Sequence, residues 1–311
     1  MRKLKVLYFH VNQKNYFQEH REYFKRELAK LPEVEVHFTT KGGKITDILN
    51  KLDFTPDFIF IENLGKSKPI YGLDKINISK GIWLNDIHSK PIKKRQFIKE
   101  NKIDIVFGFY RDAFYQGFPD LVDKFIWLPR HANLSVFRDY GFEKTIDYLL
   151  MGAISPKVYP VRSKIAQEMP KVKGFIHHKH PGHRFFKGEE KKNALIGRNY
   201  AMEINKAKIF FTDDSIYKYP INKYFEIPAC NTLLLATGSK ELRDLGFKDN
   251  ETFVEINENN YLEKARYYLT NEKERNRIAK QGYELVRKRH STEVRAKQFV
   301  NHIFNYINQS I

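Results

Sequence analysis

Three stretches of this 311-residue sequence carry side chains whose types and spacing could do chemistry. The first is Asn222-Lys223-Tyr224-Phe225-Glu226-Ile227-Pro228-Ala229-Cys230-Asn231-Thr232, followed by Leu233-Leu234-Leu235. It reads as a short helix with one glutamate, a tight turn and a buried strand. Lys223 and Glu226 stand three residues apart and so share a helical face. Read alone, Glu226 could equally be an exposed helix glutamate and Lys223 a surface lysine. The second stretch is His177-His178-Lys179-His180-Pro181-Gly182-His183-Arg184. Four histidines in seven residues invite a metal reading, but no cysteine lies nearby and the His-Glu-x-x-His spacing is absent. No metal is therefore expected there. The third group is His10 and Asp86, each at the end of an apolar strand pattern, where either could act as a general base or simply be a loop residue.

These side chains must be positioned by an alternating framework. In the first half, strands are expected at 5–9, 34–38, 57–61, 81–84, 103–107 and 125–128. Amphipathic stretches at 18–30, 45–52 and 92–101 lie between them. Strand alternating with helix is the pattern of a parallel sheet covered on both faces. The pattern restarts after residue 128. Strands are expected at 147–151, 173–176, 208–211, 232–236 and 252–256, with helices at 163–168, 191–203, 222–229 and 240–244. Asn271 with Glu274 has the spacing of a capping box, and Ser291 can cap a last helix that places Val300, Ile303, Phe304 and Ile307 on one face. The expected fold is α/β with two Rossmann-like halves.

Composition narrows the function classes. Hydrophobic residues make up 41% of the chain, with 25 Phe and 18 Tyr, which argues for a folded protein. Its one cysteine, Cys230, allows no internal disulfide and suits a reducing cytoplasm. The apolar run after the basic N-terminal residues is too short for a signal segment and reads as a first strand. The net charge of +18 favours anionic partners. Its denser groups lie at 90–95, 187–192 and 287–289, and peripheral contact with an anionic membrane or polymer is compatible with them. No nucleic acid is expected, because no zinc-finger, helix-turn-helix or RNP-type signature is present.

Several motifs, in order, resemble the CgeB-like branch of the GT-B glycosyltransferases. They are Pro56-Asp57-Phe58-Ile59-Phe60, Trp83-Leu84-Asn85-Asp86, Trp127-Leu128-Pro129-Arg130-His131-Ala132-Asn133, Ile146 to Gly152, Tyr159-Pro160-Val161-Arg162, the Phe225-Glu226 segment, and the run from Arg266 to Ser291. The resemblance is fuller from Trp127 onward. It departs from the pattern at Asn231, where the family has glycine, and at Lys218, where many retaining relatives carry a glutamate. Asparagine tolerates the left-handed turn that glycine would make.

The resemblance implies two Rossmann-like domains facing across a cleft. Residues 1–131 would form the acceptor domain, 132–290 the donor domain, and 291–311 a helix packing back on the first. It implies transfer of a sugar from a nucleotide-diphosphate sugar to a glycan, lipid-linked or protein acceptor, at a cell envelope or spore surface. It implies neither metal nor cofactor. Glu226 would take the ribose hydroxyls. Lys223, with the helix-start amides, and Arg162 would meet the diphosphate, and Gly152 would let backbone approach it. His180 and Arg184 would line the donor site. His10 or Asp86 would deprotonate the acceptor. Two alternatives stay open: a nucleotide-sugar epimerase of the same fold, and a catalytically degenerate glycan-binding or scaffold module. The location implied is cytoplasmic, with membrane association open.

Overall fold

A computed structural model describes residues 2–64 and 67–309. The chain divides into two compact units. One is Met1–Gln13, Arg21–Pro129 and Arg295–Ile311; the other is Lys14–His20 and Arg130–Val294. Chain order alone would leave Lys14–His20 in the first unit, but its contacts put it in the second. The Phe17 N–H donates to the Arg184 carbonyl at 3.0 Å, and the Phe186 N–H to that of Asn15 at 2.8 Å.

The first unit is built on a six-stranded sheet in the order Val34–Thr39, Leu4–Phe9, Phe58–Ile61, Ser79–Leu84, Ile105–Gly108, Phe125–Trp127. Every pairing is parallel. Its central strands are buried at nearly every position, which is why they read as continuous apolar runs rather than alternating ones. The last helix, Thr292–Gln309, starts where expected, with the Ser291 Oγ accepting from the Val294 N–H at 3.2 Å. From Arg295 onward it belongs to this unit. The buried stripe runs through Ala296, Phe299, Val300 and Ile303, while Phe304 and Ile307 are half-buried. The Phe299 ring lies 4.8 Å from Phe60, 4.9 Å from Phe107 and 5.6 Å from Phe24. Burying one such side chain contributes roughly 1.5–3 kcal/mol.

The second unit carries a five-stranded parallel sheet in the order Phe175–His178, Ile146–Met151, Ala207–Thr212, Leu233–Ala236, Val254–Glu255. Its core joins Tyr148, Leu150, Ile209, Phe211 and Leu235 to Ile278 and Ala279. Asn231 makes the left-handed turn (φ 53°) before Leu233–Ala236.

Three local expectations are corrected. The helix expected at 191–203 is two helices, Gly188–Asn193 and Gly197–Asn205. Ile196 between them is extended (φ −131°, ψ 157°) and buried, so burying one side chain outweighs helical continuity. The strand expected at 173–176 is Phe175–His178, which puts His177 and His178 in the sheet. Asn271 does not cap the helix that follows it. Its Nδ2 donates to the Tyr267 carbonyl at 2.8 Å and closes the preceding helix instead.

Candidate functional site

Ligands of open α/β sheets sit beyond the carboxyl ends of the strands. In the second unit those ends are Gly152 after Ile146–Met151, Thr212 to Asp214 on Ala207–Thr212, and Thr237 after Leu233–Ala236. Gly152 has φ +136°, a conformation that residues with a side chain rarely adopt. A Cβ placed on it would lie 3.0 Å from Lys223 Cε, 3.1 Å from Arg162 Nη1 and 3.2 Å from Lys223 Nζ. The structure thus brings Gly152, Arg162 and Lys223 together.

Arg162 is 2% exposed; its two terminal nitrogens are engaged by the chain around it, while its buried Nε has no hydrogen-bond partner among the described residues. Its Nη1 donates to the Ala153 carbonyl at 3.0 Å. Its Nη2 donates to Thr212 Oγ1 at 3.0 Å and stands 3.2 Å from Asp213 Oδ1. Its own N–H donates to Asp213 Oδ2 at 3.0 Å. The guanidinium also lies over the Tyr159 ring at 4.1 Å. This arginine ties together two strand-end segments, the one after Ile146–Met151 and the one ending Ala207–Thr212.

Glu226 is the reverse case. It is 7% exposed, not the exposed helix glutamate that its surroundings in sequence would allow. Among the described residues its carboxylate has neither a hydrogen bond nor an ion pair within 4 Å. Burial raises its pKa from the ordinary value, against the pull of Lys223 and Arg130. Lys223 is half-buried, and its ammonium makes no hydrogen bond either. It stands 5.7 Å from the centre of the Tyr200 ring. Burial and the nearby Arg162 lower its pKa. The buried Tyr200 hydroxyl is a third group without a partner. A carboxylate, an ammonium and a buried hydroxyl thus stand near one another with no hydrogen bond among the described residues.

The helix start is not free as expected. The Phe225 and Glu226 N–H groups both donate to the Asn222 carbonyl at 2.9 Å, and that of Tyr224 to Ile221 at 3.1 Å. His180 does lie near this group. Its pKa is lowered to about 4 by burial, and then by His183, Lys223 and Arg162. Its Nδ1 accepts from the Gly182 N–H at 3.0 Å, which leaves the proton on Nε2. Phe17 packs edge-on against both His180 (5.1 Å) and His183 (4.6 Å). Arg184 stands apart from this group. It is exposed, and Glu190 holds both of its terminal nitrogens. Among the described residues no three His, Cys, Asp or Glu side chains converge as a metal-binding set.

In the first unit, His10 follows Leu4–Phe9 and meets Lys25, whose Nζ donates to His10 Nδ1 at 2.7 Å. An ammonium has no lone pair, so the neutral imidazole carries its proton on Nε2. That tautomer offers a donor, not the free lone pair a base requires. Lys25 is held in turn by Glu22 at 2.9 Å. Beside them, buried Glu62 accepts from Tyr8 Oη at 3.1 Å and from the Val11 N–H at 3.0 Å. Asp86 is exposed at the end of Ser79–Leu84, in a left-handed turn with φ 26°.

Other site residues escaped sequence reading. Asp213 and Asp214 are each 1% exposed. Asp214 accepts from Thr237 Oγ1 at 2.6 Å, and burial raises its pKa to about 6. An Asp-Asp pair after an apolar strand was a usable signal. Tyr200 and Arg130 had none, because they reach the site only through the fold.

The family model described as "Glycosyl transferase-like" matches residues 162–301. No curated protein matches the sequence. Solved structures with the same fold include HepE of Anabaena in complex with UDP-glucose. It has 10% identity and a TM-score of 0.65, over 97% of this chain and 99% of that one. Sucrose-phosphate synthase from Thermosynechococcus elongatus has 13% identity and a TM-score of 0.61, over 97% and 81%. A candidate UDP-N-acetylglucosamine 2-epimerase from Listeria monocytogenes has 13% identity and a TM-score of 0.56, over 99% and 97%. The fold is GT-B, and the family match together with it supports a glycosyltransferase.

Proposed function

We propose that this glycosyltransferase takes its sugar from a nucleoside-diphosphate sugar held by the second unit. The observation that carries the reading is the set of Glu226 and Lys223 on the helix Lys223–Ala229 and Tyr200 on the helix Gly197–Asn205, whose polar groups have no hydrogen bond among the described residues. Glu226 would accept two hydrogen bonds from the ribose hydroxyls. Lys223 would meet the diphosphate over the bare Gly152, and its cation would stabilise the departing charge without a metal. Arg162 adds charge there but acts mainly by positioning the Gly152 and Asp213 segments. The His180 Nε2–H would be a further donor to the same ligand. Asp86 is the candidate base, since His10 presents an N–H.

Uridine is the first base to test, because HepE was solved with UDP-glucose. The CgeB-like motifs favour a glycan, lipid-linked or protein acceptor at an envelope or spore surface. No helix of the described residues is long and apolar enough to cross a membrane. A thermal-shift series with UDP, GDP, ADP, dTDP and CMP, with and without EDTA, tests the donor. One nucleotide should raise the melting temperature, by the equivalent of about 2.7 kcal/mol at a hundred times its Kd. EDTA should not change the shift. Absence of a shift with every nucleotide would remove the donor site.

Gly152→Ala gives a local check. Its methyl would enter the space between Lys223 and Arg162, at a φ costing roughly 1–3 kcal/mol. The variant should bind nucleotide at least about tenfold more weakly. Unchanged affinity by calorimetry would place the diphosphate elsewhere. The epimerase reading rests on the Listeria relative. Incubation with donor alone separates the two, since an epimerase isomerises the sugar and needs no acceptor.

A further inference from the structure

We propose that the segment Lys14–His20 is a positioning element of the donor site: through Phe17 it holds the His180 ring so that the Nε2–H is presented to the nucleoside-diphosphate sugar. The identity of that ligand rests on the donor reading above. The hold on His180 rests on contacts within the second unit.

His180 stands in the loop 179–187, between the strand Phe175–His178 and the helix Gly188–Asn193. Apart from a single bridge at Phe185 the loop has no regular structure, and Gly182 within it has φ +93°. Inside it, the Gly182 N–H donates to His180 Nδ1 at 3.0 Å and Arg184 Nε to the Pro181 carbonyl at 3.2 Å. Such a loop, with few bonds of its own, does not immobilise a ring. The remaining hold comes from far away in sequence. The Phe17 and Phe186 amides bond the Arg184 and Asn15 carbonyls, on either side of the bridge between Tyr16 and Phe185. The Tyr16 and Phe185 rings meet at 5.1 Å. Phe17 then sets its ring against both histidines, 5.1 Å from His180 at 63° and 4.6 Å from His183 at 90°. These are edge-on aromatic pairs, which fix orientation as well as distance. Phe17 is thus a positioning residue.

The segment is itself braced. Asn15 makes a left-handed turn with φ 68°, which asparagine tolerates. Its N–H donates to Glu19 Oε1 at 2.7 Å, and its Oδ1 accepts from Lys191 Nζ at 2.6 Å.

The held ring has one group to spare. His180 Nε2 makes no hydrogen bond among the described residues and, unlike the Tyr200 hydroxyl, is not sealed from solvent. Lys223 and Arg162 act on the ring from the helices Lys223–Ala229 and Pro160–Glu168. Its own loop adds Lys179, His183 and Arg184, the last held by Glu190. The segment adds Lys14, His20 and Glu19, whose carboxylate lies 3.8 Å from Lys191. In these surroundings the imidazole stays neutral down to a pH of about 4. A neutral ring with Nδ1 occupied is a pure N–H donor on its open side.

Phe17→Ala tests the hold, with Phe17→Tyr as the variant that keeps an aromatic ring. The first readout needs no ligand: nitrogen NMR of isotope-labelled histidines, with His180→Gln to assign the signal. In the parent and in Phe17→Tyr, His180 should carry its proton on Nε2 and titrate at about 4. In Phe17→Ala the ring gains water, so its pKa should rise toward the ordinary 6.5 and the single tautomer should be lost. The second readout is affinity for UDP by calorimetry. At pH 7 Phe17→Ala should bind about three- to tenfold more weakly, the loss of one positioned hydrogen bond. At pH 5 its His180 is charged and attracts the diphosphate, so the ratio to the parent should fall toward one. Glu226, Lys223 and Asp214 titrate in both chains and cancel from that ratio. UDP binding that Phe17→Ala leaves unchanged at both pH values, or a His180 signal that titrates as in the parent, would overturn the proposal. If UDP and the other nucleotides all fail to bind the parent while Phe17→Ala still releases His180, the donor reading fails and the hold on His180 stands.

Discussion

Glu226→Ala should weaken nucleotide binding by about a hundredfold or more and leave the fold intact. Two charge-assisted hydrogen bonds to ribose hydroxyls are lost together, at about 1.5–3 kcal/mol each. No protein contact is lost with them, because the carboxylate has no partner within the described residues. The unfolding midpoint at pH 7 should therefore hold or rise, since an unsatisfied buried carboxylate is itself destabilising. Glu226→Gln gives the pH test. Burial holds the native carboxyl above the ordinary value of 4.5, up to about 7. Across that window the native state keeps a proton that the unfolded state has released. Stability of the parent then falls as pH rises from about 4.5 to about 7. Glutamine removes this contribution, so the urea midpoint of the variant should change less between pH 5 and pH 7. Asp214, raised to about 6, acts with the same sign and remains in both chains. Equal pH dependence in parent and variant would mean that Glu226 is not the strained carboxylate described here. Full nucleotide affinity in Glu226→Ala would remove it from the donor site.

The parallel sheets were legible because buried strands in such sheets have no solvent face. Phe58–Ile61 and Leu233–Ala236 announce themselves as unbroken apolar runs. Lys223 and Glu226 were legible from helical spacing and motif. What periodicity could not show was partnership. Whether Glu226 was satisfied or not depended on Tyr200 and Arg130, distant in sequence. The His10 tautomer depended on Lys25, fifteen residues on, and ruled out the free lone pair the residue type suggested. Arg184 was conspicuous as a cation, yet Glu190 claims it six residues later. Asn271 had the spacing of one cap and serves another, because its single amide sits where two helices meet. The attachment of Lys14–His20 to the second unit rests on backbone bonds to the segment after His183, which leave no mark in local composition.

Arg162→Ala should act in the opposite sense and destabilise the chain by about 3–5 kcal/mol at pH 7. Its guanidinium satisfies Ala153, Thr212 and Asp213 from a position 2% exposed. Removing it leaves Asp213 buried without its nearest cation. Burial already raises the pKa of Asp213 above the ordinary 3.8, with Arg162 as the main opposing influence. Without Arg162 the rise becomes larger, so the native variant holds its proton to higher pH while the unfolded chain gives it up. The deficit should then be smaller at pH 5 than at pH 7, as urea unfolding at the two values can show. Arg162→Lys keeps the charge but not the planar fork, and should recover only part of the loss. Equal deficits at both pH values would mean that Asp213 is not left charged and buried. The two residues lie in one site, and their predicted stability effects differ in sign for a single physical reason. The terminal nitrogens of Arg162 are paired with the protein and tie two strand ends together, whereas the Glu226 carboxylate has no such pairing among the described residues, as the proposed ligand role requires.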